Sequence, residues 1–197
     1  MTATTTYSLD RTVGPVNEPV SLAEARDQCE IGATVTDHDT KLSRYITASV
    51  EQVENDTEYV LITQTYTLSF DSFPSNGDPI PLPVRPIQSI TSITYYDTSN
   101  TQQTLATTVY GLDKARRQVY LKYDQEWPDI TEQHNGNVIT FIAGFGLTEA
   151  NTPRLFKQAI LLQVAKWWAH RGDESKMPAH DTAYERIIRR VLRSSYP

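Results

Sequence analysis

The chain has 197 residues, 39% hydrophobic and 21% charged, with a formal net charge of −6, the profile of a globular chain with polar loops. The single cysteine, Cys29, excludes an intramolecular disulfide and a zinc site built on several cysteines. The acidic balance excludes wholesale wrapping by nucleic acid, which needs a positive surface that releases counterions; no stretch approaches the ~20 apolar residues that span a bilayer, and Met1-Thr2-Ala3-Thr4-Thr5-Thr6 lacks the basic and apolar regions of a secretion signal.

Residues 1–18 mix Thr, Ser, Pro and Gly without an apolar period, which predicts an extended N-terminal arm ordered by contact with something else. The folded body begins near Pro19. Ser21-Leu22-Ala23-Glu24 reads as a capping box, with hydroxyl and carboxylate each accepting from the other residue's amide, and it opens a short helix over about 21–30. Asp37 or Asp39 is placed to cap a second helix. Its apolar residues Leu42, Tyr45, Ile46, Val50 and Val53 recur at three- and four-residue steps, and it runs to about Tyr59. Residues 19–59 are thus the N-terminal helices.

From Val60 the period changes to two. Val60, Ile62, Tyr66, Leu68 and Phe70 share one face, and Thr63, Thr65, Thr67, Ser69 and Asp71 share the other, which predicts one long half-buried strand. Further strands are predicted at Ser89 to Tyr96, Gln118 to Tyr123 and Asn137 to Ala143. Turn signals separate them at Asn76-Gly77-Asp78, Thr98-Ser99-Asn100 and Asn135-Gly136-Asn137. Residues 60–150 therefore read as an antiparallel β subdomain, and Gly144-Phe145-Gly146 as its connector to the next helix. Thr152 as cap and Pro153 at the first helical position open a third helix carrying Phe156, Ala159, Ile160, Val164 and Trp167, which stops near Gly172. Asp181 to Leu192 is a last helix, so residues 151–197 are the C-terminal helices and tail. Helices, then strands, then helices indicate an α+β fold: one composite domain in which N- and C-terminal helices form a small bundle with an inserted antiparallel β subdomain.

The sequence offers no catalytic, cofactor or metal constellation. His38, His134, His170 and His180 are scattered, and Asp37-His38-Asp39 is read as a helix start, because three consecutive residues there point in different directions. Glu51, Glu54 and Glu58 step along one helix face as solvated carboxylates. Asn55-Asp56-Thr57 matches a glycosylation acceptor by coincidence. The tyrosines Tyr66, Tyr95, Tyr96, Tyr110, Tyr120 and Tyr123 lie in or beside strands with few basic neighbours (Lys114, Arg116, Arg117 and Lys122), which favours sheet packing and interfaces over base stacking. Charge is unevenly placed: residues 18–58 are acid-rich, whereas Lys176, Arg186, Arg189, Arg190 and Arg193 outnumber Asp181 and Glu185. That asymmetry suggests complementary contacts between copies.

Several strings, in this order and spacing, resemble the head–tail connector (adaptor) proteins of tailed phages and gene transfer particles. They are PVSLAEA (Pro19 to Ala25), LITQTYTLSFDSFP (Leu61 to Pro74), RPIQSITSITYYD (Arg85 to Asp97), Trp127-Pro128, VITFIAGFG (Val138 to Gly146) and RLFKQAILLQVAKWWAHR (Arg154 to Arg171). The resemblance implies a non-enzymatic structural protein of the virion neck, without cofactor, assembled in the host cytoplasm. It implies a homo-oligomeric, dodecameric ring beneath the portal protein, bound also to a head-completion (stopper) or tail-completion protein. Double-stranded DNA would pass through that ring without sequence-specific binding, and no membrane is involved. Within this picture the C-terminal helix and tail reach the portal, with Arg186, Arg189, Arg190, Arg193 and Tyr196 as contact residues. The alternatives are another tail-completion or baseplate protein, a glycan- or receptor-binding β module using the tyrosines, or a metal-dependent hydrolase built on Asp37, Asp39 and a histidine.

Overall fold

The computed structural model describes residues 7–131, 133–170 and 182–193. The chain divides into two compact units: a β unit, formed by the described residues up to Gly14 together with Thr63–Gly144, and a helical unit, formed by Pro15–Ile62 and the described residues from Phe145 to Arg193. The expected α+β class holds, with helices from both ends of the sequence and an antiparallel β insertion between them.

The helical unit consists of α1 (Leu22–Gln28), α2 (Asp39–Thr57), α3 (Arg154–His170) and α4 (Thr182–Arg193). The capping box forms as expected: the Glu24 N–H donates to the Ser21 hydroxyl at 3.2 Å, and the Ser21 N–H donates to the Glu24 carboxylate at 2.8 Å. The three- and four-residue apolar steps of each helix converge on one core of Ala25, Leu42, Ile46, Val50, Val53, Phe156, Ile160 and Val164, to which α4 adds Tyr184, Ile188 and Val191. Full burial of such a side chain stabilises by ~1.5–3 kcal/mol, so the bundle rests on these residues rather than on helix propensity. The Tyr59 ring closes the core between Phe145, stacked at 5.6 Å, and Phe156, edge-on at 5.1 Å.

Two expected caps are corrected. His38 occupies the N-cap position of α2 without a side-chain hydrogen bond, and Asp39 lies in the first turn. Arg26 at the end of α1 takes both carboxylate oxygens of Asp39, its Nε donating at 2.9 Å, so that carboxylate orders the α1–α2 turn instead of capping. Thr152 likewise does not cap α3: its hydroxyl is buried without a partner among the described residues. The 3-10 turn Glu149–Asn151 delivers the chain instead, its Thr148 hydroxyl and Asn151 side chain forming the box, before Pro153 sets the first turn of α3.

The β unit contains β1 (Tyr7–Val13), β2 (Gln64–Phe70), β3 (Ile80–Pro81), β4 (Ile87–Tyr96), β5 (Gln102–Thr104), β6 (Tyr110–Asp113), β7 (Gln118–Leu121) and β8 (Asn137–Ala143). A five-stranded sheet runs β1-β2-β8-β4-β5 and a three-stranded sheet β3-β7-β6, with every pairing antiparallel. β2 and β8 are central and alternate strictly between buried and half-buried residues. Their register places Leu68 opposite Ile139 and Tyr66 opposite Phe141, and the latter rings stack at 5.8 Å.

The expected arm is also corrected over residues 7–13, which form β1 on the edge of the sheet, Leu9 facing Leu68. Backbone pairing with β2 orders this short segment, whose alternation of Tyr7, Leu9 and Val13 with Ser8, Asp10 and Thr12 suits an edge strand. Residues 1–6 lie outside the described part. The strand expected from Val60 begins at Gln64; Val60, Leu61 and Ile62 are buried in succession, without alternation. Asp181 and the expected stop near Gly172 fall outside the described residues.

Candidate docking surface on the C-terminal helix

On α4, Tyr184, Ile188 and Val191 recur at steps of four and three and point into the core, while Arg186, Arg189, Arg190 and Arg193 repeat at steps of three, one and three on the opposite, exposed side. A hydrogen bond fixes the helix azimuth: the Tyr184 hydroxyl donates to Asp56 Oδ2 on α2 at 2.7 Å. The four arginines consequently line one recess of about 470 Å³. Arg189 is held by Glu185, its Nη2 at 3.1 Å from the carboxylate and its Nε donating to the Glu185 carbonyl. Arg186, Arg190 and Arg193 make no hydrogen bond or ion pair with a described residue. Leu192, 46% exposed, adds an apolar centre to this charged helix.

A row of exposed guanidinium groups raises a positive potential on this side of the helix. Guanidinium matches carboxylate or phosphate bidentately and is weakly hydrated, so this face is suited to docking on an acidic surface. The structure brings together four of the five expected contact residues; Tyr196 and Lys176 lie outside the described part.

Of the residues of the hydrolase alternative, Asp37 is exposed, and Asp39 and His38 are engaged elsewhere. Asp39 is paired with Arg26, and the His38 ring packs edge-on against Trp168 at 5.0 Å. Among the described residues no group of three or more His, Cys, Asp or Glu is arranged to hold a metal. His134 Nδ1 lies 3.2 Å from Asp71 in an exposed turn. Cys29 is half-buried, and burial pushes its thiol pKa up, which disfavours the nucleophilic thiolate. No helix among the described residues is long and apolar enough to cross a membrane.

The tyrosines divide. Tyr66 and Tyr110 are buried, and Tyr95 packs on Phe73 at 6.0 Å. Tyr123 is 98% exposed, and Tyr120 lies over Gly111, where a Cβ would meet its ring at 2.6 Å. Sequence reading, which predicts the strand Gln118 to Tyr123 but not its partner β6, did not separate these two from the packed ones: Tyr120 faces Gly111 across the β6–β7 pair and Tyr123 lies just beyond β7. It also missed a cleft of about 370 Å³ in the helical unit, whose lining includes Glu18 and Glu149 from distant segments.

Three solved structures share the fold. A chain in the virion of a native gene transfer agent particle aligns with TM-score 0.74 and 23% identity, covering 92% of this chain and 93% of that one. A chain in the neck of the empty gene transfer agent particle, computed with C6 symmetry, gives 0.76 and 24% over 93% and 94%. One in the neck of the native particle, computed with C12 symmetry, gives 0.73 and 23% over 93% and 94%. No curated protein matches the sequence. The sequence pattern of the phage gp6-like head–tail connector proteins matches residues 19–123, from the start of the helical unit through β7. That match spans more than half of the sequence, and the chain belongs to the phage gp6-like head–tail connector family.

Proposed function

We propose that the chain is a structural subunit of an adaptor ring in the virion neck, joining the capsid portal to the tail or head-completion protein and extending the DNA channel. Family membership supports the connector role, and the arginine face of α4 is the observation that supports docking on a partner. That face, Arg186, Arg189, Arg190 and Arg193 with Tyr196 beyond the described residues, is assigned to the portal. A portal surface rich in carboxylates is the chemistry it fits. The neck holding one similar chain was computed with twelvefold symmetry, and a dodecamer is the stoichiometry proposed here. A closed ring needs two different complementary patches on each subunit, because a head-to-tail contact closes only by rotation. With a net charge of −6, the inner wall would let the DNA duplex slide past without holding its phosphates. The role assigned is assembly, not catalysis.

The test is the mass of the purified protein, alone and mixed with its cognate portal, by light scattering after size exclusion. A ring, or a monomer joining the portal complex stoichiometrically, is the expected result. A monomer indifferent to the portal overturns the proposal.

A further inference from the structure

The helical unit carries an apolar-floored cleft with an acidic lining; Val20 and Ile46 of its floor belong to the core, and the Glu18 carboxylate also accepts from the Thr47 hydroxyl at 2.8 Å. Val20, Leu22 and Ile46 form its floor, Glu18 and Glu149 its charged lining, and among the described residues no basic side chain lines it. The Asn17 side chain donates to the Leu147 carbonyl at 2.9 Å, tying the two segments that form one side. Beside those segments stand two of the most exposed aliphatic side chains among the described residues, Val16 at 83% and Leu147 at 61%. A contiguous exposed apolar patch rimmed by polar residues marks an interaction surface, and Val16 and Leu147 lie on the two segments that the Asn17 hydrogen bond joins.

The β unit carries the opposite chemistry on the β6–β7 hairpin. Between Asp113 and Asp124 stand four basic residues, Lys114, Arg116, Arg117 and Lys122, against those two carboxylates. Arg116 remains 78% exposed despite an ion-pair contact of 4.0 Å with Asp113. Tyr123 follows Lys122 just beyond β7, fully exposed, and Tyr120 on β7 lies over Gly111, where a side chain would meet its ring. Tyrosine supplies large contact area with only two side-chain torsions to order, which is why it recurs at interface centres.

We infer that these are the two halves of a heterologous contact: the β6–β7 hairpin of one copy seats in the Glu18–Glu149 cleft of the next, with Tyr123 against the apolar rim and Lys114 and Arg116 facing the carboxylates. This deepens the ring reading and rests on it. It leaves the α4 arginines free for the portal.

The test is charge reversal on the full chain, read by sedimentation alone and with the portal protein. Lys114→Glu with Arg116→Glu reverses the hairpin, and Glu18→Lys with Glu149→Lys reverses the cleft. All four positions are exposed, so an unchanged circular-dichroism melt verifies folding. Each variant alone is expected to self-associate ~100-fold more weakly than wild type, since like charges are brought face to face. A mixture of the two is expected to recover assembly, because each hairpin then meets a cleft of opposite sign. Tyr123→Ala is expected to weaken association without altering the melt. Wild type and both variants assembling alike would overturn the pairing while leaving the ring intact. A wild-type chain that stays monomeric and ignores the portal would overturn the ring and the pairing together.

Discussion

α2 and α4 are both amphipathic helices with a charged outer face, yet their charges do different work. Around α2 the carboxylates are engaged within the chain: Asp39 holds Arg26, Glu54 accepts the Leu61 N–H at 2.8 Å, and Asp56 accepts the Tyr184 hydroxyl. Of the four α4 arginines only Arg189 has an intrachain partner among the described residues, Glu185, one turn away. The charge asymmetry that reads in the sequence as two matching patches is therefore unequal in the fold. Its acidic half largely stitches the bundle together, whereas Arg186, Arg190 and Arg193 of its basic half have no partner among the described residues. A run of like charge acquires meaning only once its satisfied members are subtracted.

Mutation separates the two faces. Reversing Arg186, Arg190 and Arg193 to Glu should weaken portal capture by ~100-fold or more and leave the thermal midpoint nearly unchanged, measured by co-sedimentation and calorimetry; a large loss of stability would place these residues in the fold instead. Asp39→Ala should do the reverse, lowering stability by ~1–3 kcal/mol because Arg26 loses a half-buried, charge-assisted partner, with portal capture intact in the folded protein. Denaturant titration measures it, and a neutral outcome would put Asp39 among solvated charges. Tyr184→Phe should cost about 1 kcal/mol through the lost hydrogen bond to Asp56, a loss that should vanish when Asp56 is already Ala.

The smallest expected effect is a pH dependence. Burial pushes the Glu24 carboxyl up, but the hydrogen bond from the Ser21 amide, with Lys157 and the Ser21 hydroxyl, outweighs it and leaves the pKa below the ordinary glutamate range. A carboxylate lowered on folding stabilises the native state above its unfolded pKa, and that contribution is lost as pH falls through the ordinary range to the lowered one. Melting curves of Glu24→Gln should accordingly lose less stability than wild type on acidification through that window; parallel curves would show that the capping box is neutral to protonation.

Much of the fold was legible from contiguous residues: the capping box at Ser21 and the apolar steps of α2 and α3 in the helical unit, and the strict alternation of β2 and β8 in the β unit. The candidate surface was legible in part, since the spacing of the α4 arginines places them on one side of any helix. Which arginines lack partners was not, because that depends on what other segments bring near them. The same reasoning explains the two caps: Asp39 and Thr152 have the right chemistry for capping, and a distant guanidinium or a preceding 3-10 turn removed the need.

The amino-acid sequence by itself determined where helices and central strands form, because their periodicity is written in neighbouring residues and apolar burial acts on it directly. Only the tertiary structure decided that residues 7–13 join the sheet as β1, that Tyr120 rests on Gly111, and that Glu18 and Glu149 share a cleft. Each of these depends on a partner far away in the chain, and backbone pairing, ring packing and charge pairing are settled by which distant groups meet.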